Sequence, residues 1–166
     1  MFTVCREYLI SKLSQSGLRT KPITSMKKLS QSYETHIGAV LFEEEAYERG
    51  DAKRKYIDQT GGQHKRLKLF SRETTFAVII GDPEPEKAES MFETLIQNLD
   101  KGIFINGNYT AIEVGNAEWV DDEDSIIKSK VAVKVRITFI GGIYKDIDLI
   151  RVENIDLTIE SNRKEI

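Results

Sequence analysis

The chain has 166 residues, enough for one domain with a sizeable core and too few for two ordinary ones. Hydrophobic residues make up 40% and charged residues 31%, with three prolines, which excludes a disordered tail or a low-complexity linker. A formal charge of −3 argues against a general nucleic-acid coat, and a single cysteine excludes an internal disulfide framework and fits a reducing compartment.

No apolar run approaches the roughly 20 residues of a membrane span, and the start, Met1 to Glu7, does not read as a signal peptide. Val4, Cys5, Tyr8, Leu9 and Leu13 recur at spacings of three and four, which predicts a helix stopped at Gly17. Pro22 and a Ser/Thr/Lys-rich stretch leave residues 18–34 irregular, although Ile23, Met26 and Leu29 suit a short strand or turn. Ile37 to Phe42 is apolar on both faces, as a strand inside a sheet would be, and continues into the acidic Glu43 to Arg49. Leu67 to Arg72 leads into a second apolar strand, Thr75 to Ile80. The two predict a long β-hairpin with a buried base and a tip in solvent, the acids of one strand facing the bases of the other. Its connection, Gly50 to Lys65, reads as a long loop.

Asp82 as N-cap, with Pro83 at the first helical position, predicts a second helix closed by Lys101-Gly102. Its stripe of Ala88, Met91, Phe92, Leu95, Ile96 and Leu99 is a core face. Asn106-Gly107 predicts a type I′ turn between Ile103–Ile105 and Asn108–Val114. Val131 to Phe139 alternates as a strand, Gly141-Gly142 reads as a turn back toward Ile150, and Ile155, Leu157 and Ile159 suggest a last strand. The order predicts an α+β fold: a mainly antiparallel β-sheet with two helices packed on one face and a long protruding β-hairpin. Residues 1–160 read as one domain and 161–166 as a frayed tail.

Catalytic chemistry finds little purchase. His36, His64 and Cys5 lie far apart in sequence, and Cys5 sits on an apolar stripe, where a small buried hydrophobe is the better reading than a thiol site. Gly61-Gly62 lacks the strand-then-helix context and the following Lys-Ser/Thr of a phosphate cradle. The acids from 121 to 124 lack the spacing and glycine of a calcium loop. The expectation is a non-enzyme with no cofactor and no metal.

Charge placement is more telling. Arg49, Lys53, Arg54, Lys55, Lys65, Arg66, Lys68 and Arg72 crowd one segment against Asp51 and Asp58, while Glu118, Asp121, Asp122, Glu123 and Asp124 surround Trp119. Two solvated faces would suffice to explain this. The sharper reading is head-to-tail association, with the basic arm of one copy on its neighbour.

The short N-terminal helix, Ile37-Gly38-Ala39-Val40-Leu41-Phe42-Glu43, the basic arm, and Arg72 to Asp82 leading into a helix and two hairpins form a pattern. From about Met1 to Ile150 it resembles the tail terminator (tail completion) proteins of tailed bacteriophages and phage-tail-like particles. The resemblance implies a ring, of six copies, at the junction of tail and neck in a virion or tail-like particle. That ring would cap the tail tube, stop its polymerisation and offer a surface to the head or neck connector, and to the sheath in contractile particles. DNA would be passing cargo, and no membrane is involved. The resemblance transmits no site residues, so the interface assignment rests on the charged residues above. Alternatives are a neck or head–tail connector, a tail-tube subunit, a nucleic-acid-binding module stacking bases on Tyr56 and Phe70, or a small enzyme.

Overall fold

Neighbouring residues of one strand point to opposite faces, and the central strand of this protein is apolar on both. In the computed structural model, which describes residues 1–120 and 131–149, that strand is β3 (Gln63–Asp82). Phe76, Val78 and Ile80 face one core cluster, with Cys5, Leu9 and Leu13 of α1 (Phe2–Gln15) and Met91 and Leu95 of α3 (Pro85–Asn98). Ala77 and Ile79 face another, with Leu29 and with Ile37, Ala39 and Leu41 of β1 (Ile37–Arg49).

The remaining elements are α2 (Met26–Ser30), β2 (Lys53–Ile57), β4 (Gly102–Ile105), β5 (Asn108–Val120) and β6 (Val131–Asp148). The strands form one sheet in the order β1-β3-β6-β5-β4, with β2 pairing β3 as well, and every named pair is antiparallel. The fold is therefore α+β with a mainly antiparallel sheet, as the element order predicts. Among the described residues no helix is long and apolar enough to cross a membrane.

Helix α1 follows its stripe. Cys5, Leu9 and Leu13 are fully buried, Val4 is half exposed, and Gly17 takes the positive φ of 103° that ends the helix. Burial pushes the Cys5 thiol up to about 11, as expected of a packing residue. The segment expected to be irregular holds a capped turn of helix: Ser25 accepts from the Lys28 amide at the start of α2. Ile23 bonds through its backbone to Gly38 and Val40, shielding that part of the β1 edge.

Three further expectations are corrected. Helix α3 starts at Pro85, not Pro83, because the residue before a proline is driven extended; Glu84 sits at φ −105°, ψ 112°. Asp82 is the last residue of β3, and its carboxylate accepts from the Glu84 amide at 2.9 Å. Helix α3 ends at Asn98, leaving Gly102 to open β4. Gly141-Gly142 makes no turn, since β6 runs straight through it, paired with Arg72 and Ser71 of β3. These glycines serve close approach: a Cβ on Gly142 would lie 2.7 Å from Lys68 Cε, and one on Gly141 would lie 2.9 Å from Met1 Sδ. By contrast Asn106 (φ 50°) and Gly107 (φ 74°) form the expected tight turn between β4 and β5. The suggested last strand at 155–159 and the tail 161–166 lie outside the described residues.

Candidate functional site at the far end of the long strands

Strands β3 and β6 are far longer than the helices that cover them, so their distal halves continue as a ribbon. Half of the expected loop at 50–65 is strand. Lys53, Arg54, Lys55 and Tyr56 of β2 stand opposite Leu67, Arg66, Lys65 and His64 of β3. On the other side of β3, His64, Lys65, Arg66 and Leu67 face Asp148, Ile147, Asp146 and Lys145 of β6. Sequence periodicity misses this because Lys-Arg-Lys-Tyr-Ile shows no apolar alternation. Main-chain pairing and charge hold it instead.

The turn closing the ribbon is organised by Asp58. Its Oδ1 accepts from the Thr60 amide, the Thr60 hydroxyl and the Gly62 amide, each at 2.8 Å, and Gly61 supplies the positive φ of 87°. Oδ2 lies 2.8 Å from His64 Nε2, while His64 Nδ1 lies 2.8 Å from Asp148 Oδ1. An imidazole with a carboxylate on each nitrogen favours the doubly protonated ring. Hydrogen bonding to Asp58, then to Asp148, raises the His64 pKa above its ordinary value. The same contact, with those from Thr60 and Gly62, holds Asp58 well below the usual carboxylate range. One step inward, Arg66 grips Asp146 through Nε and Nη2, both at 2.7 Å, and holds that carboxyl down at about 2. Tyr56 donates to the same carboxylate at 3.0 Å and stacks on His64.

A pH dependence follows. The raised His64 pKa contributes stability that is complete below about 6.5 and is lost as pH rises through the folded value. The depressed Asp58 and Asp146 contribute stability present above about 4 and lost as pH falls through their folded values. The ribbon tip is therefore tightest between these limits. An imidazole NMR titration of His64 should give a midpoint above 6.5 that falls in Asp148→Asn. A midpoint at or below 6.5 in the wild type would contradict this geometry.

The expected facing of acids and bases is only partly realised. A bulge between Phe42 and Glu44 sets the register so that Glu44, Glu45, Ala46 and Tyr47 stand opposite Thr75, Thr74, Glu73 and Arg72. Arg72 alone meets an acid there, with Glu45 at 2.7 Å, and lies over the Tyr47 ring. Glu43, the bulged residue, instead reaches β6, lying 2.8 Å from Lys134 Nζ and 2.7 Å from Arg136 Nε. Burial alone would raise its pKa; the two cations outweigh that and lower it. Arg49 stacks on Phe70, 4.9 Å from the ring centre.

Of the eight expected basic residues, then, Arg66 and Arg72 have carboxylate partners inside the subunit. Lys53, Arg54, Lys55, Lys65, Lys68 and Arg49 form no ion pair among the described residues. Lys55 stands directly opposite Lys65, a like-charge juxtaposition that costs free energy in an isolated subunit. Glu118 pairs in register with Lys134, near the other end of β6, and 121–124 lie outside the described residues. From residue 134 to residue 148 an extended strand spans about 45 Å, at about 3.3 Å per residue. Asp146 and Asp148 were missed because Gly141-Gly142 read as a turn, which detached them from β3. Their every-other-residue spacing with Tyr144 was the available signal.

His36 is a joint. Nδ1 bonds the Asp82 carboxylate and Nε2 accepts from the Arg19 amide at 3.1 Å, so neither nitrogen is left to act as a base. No protein-family model matches the chain, and no curated protein is significantly similar to it.

Proposed function

We propose that the chain is a phage tail-terminator subunit: a non-enzymatic protein that forms a ring, of six copies, on the head-proximal end of a tail tube. The ring stops tube polymerisation and presents its outer face to the head or neck connector, and to the sheath where the tail contracts. The single observation that carries this reading is the Lys55–Lys65 pair, which has no ion-pair partner among the described residues and is set about 45 Å along the sheet from Glu118. Lysines without an acidic partner among the described residues of their own subunit are left for a neighbour's acids to neutralise. Copies arranged head to tail supply those acids, and such contacts close into a ring when the rotation allows. The element order supports the same reading, with α1 and α3 on one face and the bare ribbon free to lie on a neighbour.

Complementary charge sets register more than affinity, so the free subunit stays monomeric. A tube end that holds several copies together raises their effective concentration. The net negative charge leaves a lumen through which DNA passes without sticking. A neck connector or a tail-tube subunit would share the ring and differ in its place in the particle.

The test is the double substitution Lys55→Glu and Lys65→Glu, followed by light scattering and electron microscopy with purified tail tubes at about 0.05 M and 0.5 M salt. Wild-type protein should cap tubes as rings at low salt and less so at high salt, and the variant should cap neither. Equal capping by both proteins would overturn the reading, as would failure of the wild type to bind tubes.

A further inference from the structure

Between β2, the β3–β6 ribbon and the β4–β5 turn lies a cleft of about 470 Å³, lined by Arg54, Tyr56, Lys68, Phe104, Tyr109 and Tyr144 among others. Its size falls in the range of small-molecule sites. Its chemistry is unusual for a surface groove. Phe104 is 75% exposed on the short edge strand β4, and its ring stands edge-on to Tyr109 with centroids 5.4 Å apart. A large apolar ring left in water at a cleft rim is unspent hydrophobic area. Arg54 and Lys68 form no ion pair among the described residues, whereas Arg66, which also lines the cleft, is already held by Asp146 and Asn108. Lys68 reaches its place because Gly142 has no side chain; a Cβ there would sit 2.7 Å from Lys68 Cε.

We infer that this cleft binds a nucleotide unit, with the base on Phe104 and Tyr109 and the phosphate on Arg54 and Lys68. Flat rings recognise any base by its π face, and paired cations recognise the phosphate, so the site is tolerant of sequence. A carboxylate-bearing peptide would satisfy the cations and leave the exposed face of Phe104 in water. The nucleotide comes either free in solution or as one residue of a single strand. The inference concerns the isolated subunit and does not depend on ring formation.

The experiment uses the full chain, with two probes: ATP followed by calorimetry, and a fluorescein-labelled oligothymidylate of about twelve nucleotides followed by anisotropy. Binding of both, with competition, identifies a free-nucleotide site; binding of the oligonucleotide alone identifies a strand site. Phe104→Ala, at an exposed position, should weaken binding about 5-fold or more. Arg54→Gln and Lys68→Gln should each weaken it and reduce the salt slope by about one. Lys55→Gln, on β2 but outside the cleft, should change it much less. Three results would overturn the inference: no binding of either probe, no effect of Phe104→Ala, or an equal effect of Lys55→Gln and Arg54→Gln. Tighter binding of a poly-glutamate peptide than of the oligonucleotide would overturn it too, in favour of an acidic partner.

Discussion

Phe76→Ala is expected to destabilise the protein by about 3–5 kcal/mol, the cost of a large ring removed from a core that only partly collapses. Phe76 is fully buried in the C-terminal half of β3. Its ring lies 5.5 Å from Phe2, 6.1 Å from Phe139 and 6.1 Å from Phe42, so it joins α1, β6 and β1 at one point. Backbone pairing on both sides, to Phe42 and Ile137, prevents the strand from moving in to fill the space. Urea unfolding should show the midpoint falling with an unchanged slope. Phe104→Ala, the same substitution at an exposed ring, should stay within about 0.5 kcal/mol. A loss below about 1 kcal/mol for Phe76→Ala would mean that the aromatic cluster is not the packed centre of the domain.

The second large effect belongs to a single methyl group. Gly102→Ala should cost about 1–3 kcal/mol through overpacking. A Cβ at that position would lie 2.4 Å from Tyr109 Cζ, 2.5 Å from its hydroxyl and 2.6 Å from the Thr110 carbonyl oxygen. The tyrosine can swing aside, but the carbonyl belongs to the strand with which β4 is in register, Ile103 opposite Thr110. Relief therefore requires separating β4 from β5, and amide exchange in 102–111 should quicken selectively. Adding Tyr109→Ala to Gly102→Ala should recover only part of the loss, since the carbonyl clash remains. Full recovery would assign the cost to the ring alone. Because Tyr109 lines the cleft, Gly102→Ala should also disturb that site.

Local chemistry was enough for several elements. The Cys5, Leu9 and Leu13 stripe, the Asn106-Gly107 turn and the alternation of Val131 to Phe139 each depend on residues within a few positions of one another. Propensity and periodicity act on that scale. The start of α3 was placed two residues early because two prolines compete, and the tie is broken by Asp82, which the end of β3 keeps for itself. Gly141-Gly142 failed for a different reason. A glycine pair signals a turn when it needs unusual backbone angles; here it is small because Lys68, Phe70 and Met1 approach from elsewhere in the chain.

For the candidate site, composition alone located the basic segment, because charge density is a property of the sequence. Which of those charges remain unpaired was decided by tertiary structure. Arg66 and Asp146 are 80 residues apart, and a register one residue away would have paired them differently. Sequence by itself determined that this chain folds as an α+β domain with a mainly antiparallel sheet and a strongly charged segment, since those follow from residue types and short periods. The tertiary structure decided that the charged segment is a three-stranded ribbon beside an aromatic cleft. Strand register sets which side chains meet, and that depends on partners no local pattern encodes.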